Sequence, residues 1–442
     1  MLGRTFLIIL LIITFTLNYF NFLYFCNIKL FSFNFIMRTI SKIRLYQILD
    51  SRGFPTVEAN IIDNEDNKFI ACTPSGASTG EREAIEIRDK KENYFLGKSV
   101  ESIIEKEQLI NELFQGKVLN DHKKLDQILL DYDSSPQKEK IGGNLTTALT
   151  FCFLKACAGP KQEVYQYLGK EKSKIPRPFV NIINGGKHAG NKLQIQEFMI
   201  VPKESNIDEM TNNICTVYHN LKKIIGKKYG KDQTSVGDEG GYAPNISSAE
   251  EALDLIISAI EDSGLKSGED MFLALDCAAS EFFKDGKYEV IKDTFFNADD
   301  LIKYYEKLCE KYPIISIEDP FDENDFEAWG AFNKLMGEKI MIVGDDLFTT
   351  SPEYVKKGLE KGWANSLLVK VNQIGTYLEA EKAMRLISDN GGKNILSHRS
   401  GETNDDIIVD IAVGYGADFL KIGAPCRGER IAKYNRLWKI YK

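Results

Sequence analysis

The chain has 442 residues, 43 % of them hydrophobic, enough for one large domain and a smaller one around a substantial core. Lys plus Arg number 56 against 64 Asp plus Glu, a net charge of −8, and no basic run interleaved with aromatics offers a footprint for a phosphate backbone, which argues against nucleic acid as a partner. The eight cysteines are scattered, without a CxxC pair or a Cys/His cluster at zinc spacing, as expected of buried thiols in a reducing compartment.

Residues 1–36 differ in kind from the rest. From Thr5 to Ile28 there are 24 residues without a charge, preceded by Arg4, and a helix crossing a bilayer needs roughly 20 apolar residues. No small-residue A-x-A site follows, which disfavours a cleaved signal peptide. Eight of the 26 Phe fall here, mixed with Ile, Leu, Asn and Tyr, the composition of translated A/T-rich non-coding DNA. Two readings stand: translation starts at Met37, or the segment is an anchor. Only the second gives a membrane-attached or cell-surface form.

From Met37 to about Ala71 apolar and polar residues alternate, as in IRLYQILDSRG and TVEANIID, which predicts antiparallel strands joined by polar turns. SVESIIEKEQLINELF then has apolar residues at helical spacing. FLGKS (95–99) has the ending of a phosphate-binding loop, but Glu92 stands where that motif needs glycine. Residues 37–171 therefore form an expected α+β unit, and the charged, Pro-rich KEKSKIPRP a linker to the remainder, 172–442.

Beyond it come short apolar runs, each followed by a helical pattern: EFMIVP, FLALDCA, IISIEDP, IMIVGDD, SLLVKVN, NILSHR and DFLKIGA. From Asp276 the polar ends fall at Glu318, Asp345, Lys370, His398 and Lys421, in steps of 42, 27, 25, 28 and 23. Steps near 25 suit a repeated strand–helix unit closing into a parallel β/α barrel, whose active site sits at the C-terminal ends of its strands. A single acid at such a place is ordinarily a helix cap or a solvated rim charge. Three in series, Asp276, Glu318 and Asp345, would repel one another at the mouth unless a divalent cation joins them, and all-oxygen ligation suits Mg²⁺. Lys370, His398, Arg399, Ser400 and Lys421 stand across the same mouth, a set suited to an anionic, phosphate-bearing substrate. Like charge and desolvation are expected to lower the pKa of Lys370, making it a base. A structural lysine reaching out of the barrel is the bland alternative. Glycines around Asp238 and Glu239 in SVGDEGGYAPN suit a carboxylate held in a fixed geometry, or a plain acidic turn, and His188 in INGGKHAGN is open between a structural and a site role.

The motifs DSRGFPTVE, SGASTG, NIINGGKHAGNKLQIQEFMIVP, VGDEGGYAPN, LDCAASEF, SIEDPF, VGDDL, LLVKVNQIGT, SHRSGET and KIGAP, in this order from about Ser41 to the C-terminus, resemble those of the enolase family. The resemblance implies an α/β protein, a TIM-like β/α barrel (172–442) behind an N-terminal α+β cap (37–171), that dehydrates 2-phosphoglycerate to phosphoenolpyruvate in the cytoplasm. It implies two Mg²⁺ per active site, one held by Asp276, Glu318 and Asp345 and a second by Ser78 once substrate is present. Lys370 matches the acceptor of the C2 proton and Glu239 the donor to the departing hydroxyl. Lys421 matches a contact to the substrate carboxylate, Arg399 and Ser400 match the phosphate contacts, and His188, Gln196, Glu197 and His398 line the pocket. A homodimer or larger homo-oligomer is implied too. In the family an arginine matching Arg52 pairs across the dimer with an acid near the C-terminus, where this chain has Tyr441 or Lys442. Phe54 and Lys187 also depart from the family pattern. Two rivals remain at this stage: a superfamily member acting on another α-carboxylate substrate, and a non-catalytic surface protein.

Overall fold

The computed structural model describes residues 37–77, 79–169 and 174–442. The apolar segment 1–36, Ser78 and residues 170–173 of the expected linker lie outside the described residues. No helix among the described residues is long and apolar enough to cross a membrane.

The alternating N-terminal pattern forms a three-stranded antiparallel sheet of β1 (Ile40–Leu49), β2 (Pro55–Asp63) and β3 (Lys68–Cys72). Its period of two buries Ile43, Leu45, Val57, Ala59 and Ile61 on one face. Against that sheet packs a helix, Gly143–Ala158, whose sequence GNLTTALTFCFLKACA is apolar nearly all round and which is correspondingly buried. The helix expected over 99–114 is broken into Glu101–Ile104 and Glu107–Phe114. In the second piece Asn111 clasps both backbone groups of Ile43, at 2.8 Å each, and so fixes the helix to the sheet.

The remainder is a closed eight-stranded barrel. Its strands are β4 (Arg177–Asn184), β5 (Glu197–Pro202), β6 (Met271–Asp276), β7 (Ile314–Glu318), β8 (Met341–Gly344), β9 (Ser366–Val369), β10 (Lys393–Ser397) and β11 (Phe419–Lys421). Arg177 and Pro178, read as linker, already pair with β11. The expected all-parallel barrel needs one correction: β5 runs antiparallel to both β4 and β6. The connection of 12 residues (185–196) that joins β4 to β5 carries only a short 3₁₀ turn, Gly186–His188, and no crossover helix, and the chain turns straight back. The polar residue of EFMIVP is accordingly its first, Glu197, and the reversal brings that residue to the same mouth as the last residues of the other strands.

The barrel interior is filled by Phe179, Met199, Val201, Ala274, Val343, Leu368, Ile395 and Phe419, distinct from the larger core between strands and helices. Because side chains alternate along a strand, the residue two places nearer the mouth faces the same interior. That rule places Glu197, Asp276, Asp345, Lys370, Ser397 and Lys421 inward, and all six line one cavity at the mouth, with about 430 Å³ of empty space open to solvent. The last helix, α1 (Gly428–Tyr441), lies beside this mouth.

Candidate active site

The ammonium of Lys421 lies among three buried carboxylates, 2.9 Å from Asp276 Oδ2, 2.9 Å from Glu318 Oε2 and 3.2 Å from Glu197 Oε2. Burial works against its charge, but these carboxylates outweigh that and hold its pKa well above the ordinary value. Lys370 is ion-paired to Asp345 Oδ2. Asp345 also accepts from Gln373 Nε2 at 2.8 Å, and Asp319 fixes its loop by accepting from the Asp345 and Asp346 amides at 2.9 and 2.8 Å.

Two expectations are modified here. The structure brings Asp276, Glu318 and Asp345 to one mouth, yet Lys421 bridges the first two and Lys370 holds the third. Among the described residues, the groups whose ligand atoms lie within 4.8 Å of one another are Asp319, Asp345, Asp346 and His188, Glu197, Glu239. Nor is the Lys370 pKa lowered as expected: burial does lower it, but the adjacent Asp345 charge prevails and the net direction is up.

The residues suit a divalent cation on grounds of charge. Burial first, and then the neighbouring acids, push Glu318, Asp319 and Asp346 well above the ordinary carboxylate range. The mouth therefore holds more carboxylates than Lys370, Lys421 and Arg399 can neutralise, and added positive charge relieves the excess. Gln196 Oε1 is also buried there without a hydrogen-bond partner.

On the far side of the mouth His188 Nδ1 lies 3.4 Å from Glu197 Oε1 and 3.7 Å from Glu239 Oε1, while His398 Nε2 lies 3.3 Å from Glu239 Oε2. Asn181 Nδ2 donates to Glu239 Oε2 at 3.1 Å. Burial pushes Glu197 up to about 7, helped by the charge of Glu239. Burial also raises Glu239, but His398, His188 and Arg430 outweigh it and hold this carboxyl well below the usual range. Burial lowers His188, and the two glutamates more than reverse it. The group thus favours the neutral form of Glu197, the charged form of His188 and the ionised form of Glu239. The glycines flanking the Asp238–Glu239 pair are required by close approach: a Cβ on Gly237 would stand 2.5 Å from the His188 carbonyl, and one on Gly241 2.0 Å from Asn184 Oδ1.

The third corner belongs partly to the cap. Arg399 Nη1 and Nη2 bind Glu83 Oε2 and Oε1 at 3.0 and 3.1 Å, and Ser400 Oγ accepts from the Ala77 amide at 2.8 Å. Ser75 and Gly401 pair through their backbones. These contacts hold Ser75 and Ala77 against the barrel mouth. Glu83, Asp319, Gln373 and Arg430 were missed in the sequence; Asp319 and Gln373 stand inside SIEDPF and LLVKVNQIGT and Glu83 lies five residues past Ser78, whereas Arg430 had no such local signal.

Residues 172–442 match the family model of the enolase C-terminal TIM barrel domain, and residues 40–168 that of the enolase N-terminal domain. The chain belongs to the enolase family. Both the α/β architecture and the cap-plus-barrel order are those of an enolase, and membership makes this a lyase-type enzyme site acting on a small molecule. Asp276, Glu318, Asp345, Lys370, Arg399, Ser400, Lys421, His188, Gln196, Glu197, Glu239 and His398 all reach this single enolase mouth. Departures from the family pattern are satisfied locally, for Lys187 pairs with Glu281 at 2.5 Å and Phe54 lies under the Lys98 ammonium at 3.7 Å.

Proposed function

We propose that the protein is a Mg²⁺-dependent phosphopyruvate hydratase, which reversibly dehydrates 2-phosphoglycerate to phosphoenolpyruvate. One observation carries the reading. In the barrel order β7-β8-β9-β10-β11-β4-β5-β6, strand β9 stands diametrically across from β5, so Lys370 and the Glu197–His188–Glu239 group face the mouth from opposite sides. A base on one side and a proton store on the other is what removal of a C2 proton and a C3 hydroxyl from opposite faces requires.

Arg399 and Ser400 supply the phosphate contacts and Lys421 a contact for the substrate carboxylate, each already fixed by buried partners, so little reorganisation is needed on binding. A proton beside a carboxylate is very weakly acidic, because its removal adds charge to an anion. Asp276, Glu318 and Asp345 would hold a Mg²⁺ and Ser78 would serve a second, and when bound these ions would supply positive charge to stabilise the negative charge that develops beside the carboxylate. Burial and the like charges of Arg399 and Lys421 oppose the raising effect of Asp345 on the Lys370 pKa, and in its neutral form this amine takes the C2 proton. Glu239 delivers a proton to the departing hydroxyl after receiving one from Glu197, with His188 in contact with both.

The test is turnover of 2-phosphoglycerate with Mg²⁺, in wild type and in Lys370→Ala and Glu239→Gln. Each substitution should lower kcat by ~10²–10⁴-fold, the usual worth of a positioned acid or base. Wild-type rates in both variants would remove the assigned roles, and turnover of a different α-carboxylate acid in a substrate panel would move the reading elsewhere in the superfamily. The homodimer and the cytoplasmic location belong to the same proposal, tested by light scattering and cell fractionation. Within its own chain Arg52 is engaged by Asp50 and by the Ser75 and Gly76 carbonyls.

A further inference from the structure

Arg430 and Lys433 lie three residues apart on one face of α1, and both have 0 % exposure. A fully buried cation persists only where it is paired or hydrogen-bonded. Lys433 Nζ has Glu402 Oε2 at 2.8 Å and the Thr403 and Glu429 carbonyls at 3.0 and 3.1 Å. Arg430 bridges two segments of the active site. Its Nη1 donates to His398 Nδ1 and to the Arg399 carbonyl, both at 2.7 Å, and its Nη2 donates to the Ser400 carbonyl at 2.7 Å and the Asp238 carbonyl at 3.1 Å. The loop carrying His398, Arg399 and Ser400 is thereby joined to the loop carrying Glu239.

The contact with His398 has a further consequence. A guanidinium has donors only, so a ring nitrogen 2.7 Å from it must offer a lone pair. Nδ1 of His398 is then the acceptor, and the single proton of the neutral ring is on Nε2, the atom 3.3 Å from Glu239 Oε2. We infer that Arg430 is a positioning residue of the catalytic site: its fork sets the tautomer of His398 so that the ring proton is on Nε2, the nitrogen beside Glu239, and it locks the two catalytic loops in register. Burial, with Arg430 and Lys421 adding to it, pushes His398 down to about 3, so the ring stays neutral through the working pH range. A lysine could satisfy one of these four acceptors in the same direction but not all of them, because its donors radiate from one atom.

The role assigned to His398 rests on the enolase reading, but its ring state can be measured without substrate. The chain has four histidines, so protein labelled with ¹⁵N-histidine gives four ring systems, and His398 is assigned by its loss in His398→Gln. Wild type should show His398 as the Nε2–H tautomer without titration between about pH 5 and 8. In Arg430→Gln that signature should change, and kcat for 2-phosphoglycerate should fall ~10²-fold with little change in KM, as for a misplaced catalytic group. Arg430→Lys, which keeps the buried charge, should fold and lose kcat as well. An Nδ1–H or protonated His398 in wild type overturns the inference, with no variant needed. Wild-type kcat in folded Arg430→Lys overturns it too. A wild type that shows the Nε2–H ring but leaves 2-phosphoglycerate unchanged supports the clamp and refutes the proposed substrate.

Discussion

Replacing Lys421 by Met tests the charge logic of the mouth most directly. The substitution keeps much of the side-chain volume and removes the one ammonium within 3.2 Å of Asp276, Glu318 and Glu197. At an effective dielectric of ~20, two unit charges ~3 Å apart attract by about 5 kcal/mol. Most of the attraction from three such contacts is offset by desolvation, and removing one partner of a buried ion pair costs ~3–5 kcal/mol net. Three acids left in contact relieve their repulsion by binding a proton, so the cost depends on pH. Glu318 is already raised above its ordinary value by burial and by Asp276, and loss of Lys421 raises it further. A carboxyl raised in the folded state binds more protons there than when unfolded, so its contribution is greatest below the ordinary glutamate pKa of about 4.3 and is lost as pH rises through the folded value. The deficit of Lys421→Met should therefore grow with pH by about 1.4 kcal/mol per unit for each extra proton. Urea unfolding in EDTA at pH 6 and pH 8 measures it. A deficit below about 1 kcal/mol at pH 8, a value typical of exposed pairs, or one that does not shrink at pH 6, refutes the reasoning.

Glu83→Gln leaves the buried Arg399 without its carboxylate and should cost ~3–5 kcal/mol, seen as a lowered Tm, although Glu83 belongs to the cap and Arg399 to the barrel. Asp126 on the cap helix His122–Tyr132 accepts from Thr150 Oγ1 at 2.8 Å and from the Leu378 amide at 3.0 Å, tying the cap to a barrel helix, and burial pushes its carboxyl up to about 7. Wild type should lose stability relative to Asp126→Asn as pH rises from about 4 to about 7, because across that window the carboxyl is ionised in the unfolded chain while the folded state still holds its proton; unfolding curves that stay parallel through it would contradict this. Adding Mg²⁺ to EDTA-treated protein should raise Tm with concentration, by linkage of about 2.7 kcal/mol at 100 Kd, and restore turnover; an unchanged Tm would count against a cation at the mouth.

Much of the candidate site was legible because a β/α barrel turns linear spacing into position. Once an apolar strand is recognised, its period of two decides which side chain faces inward, and Asp276, Glu318, Asp345, Lys370 and Lys421 follow at their strand ends. The reversed strand was not legible as such. EFMIVP has the same composition in either direction, and only its pairing with Asp276 and Asn184 shows that Glu197 heads toward the mouth. The expected direction of the Lys370 pKa shift failed for a related reason: sequence spacing brings Lys370 to the rank of carboxylates but does not say that Asp345 is its immediate partner.

Motif order and strand period by themselves thus determined the family resemblance, the barrel and most of the chemical groups at its mouth, because those depend on local repetition along the chain. The tertiary structure decided which groups meet. Glu83 meets Arg399 across 316 positions, Lys421 meets Asp276 across 145, and Arg430 meets His398 across 32. No periodicity encodes such contacts. They arise from the closing of the cap on the barrel and the packing of the last helix beside it, and it is there, through desolvation and the choice of partner, that the protonation states of the site are set.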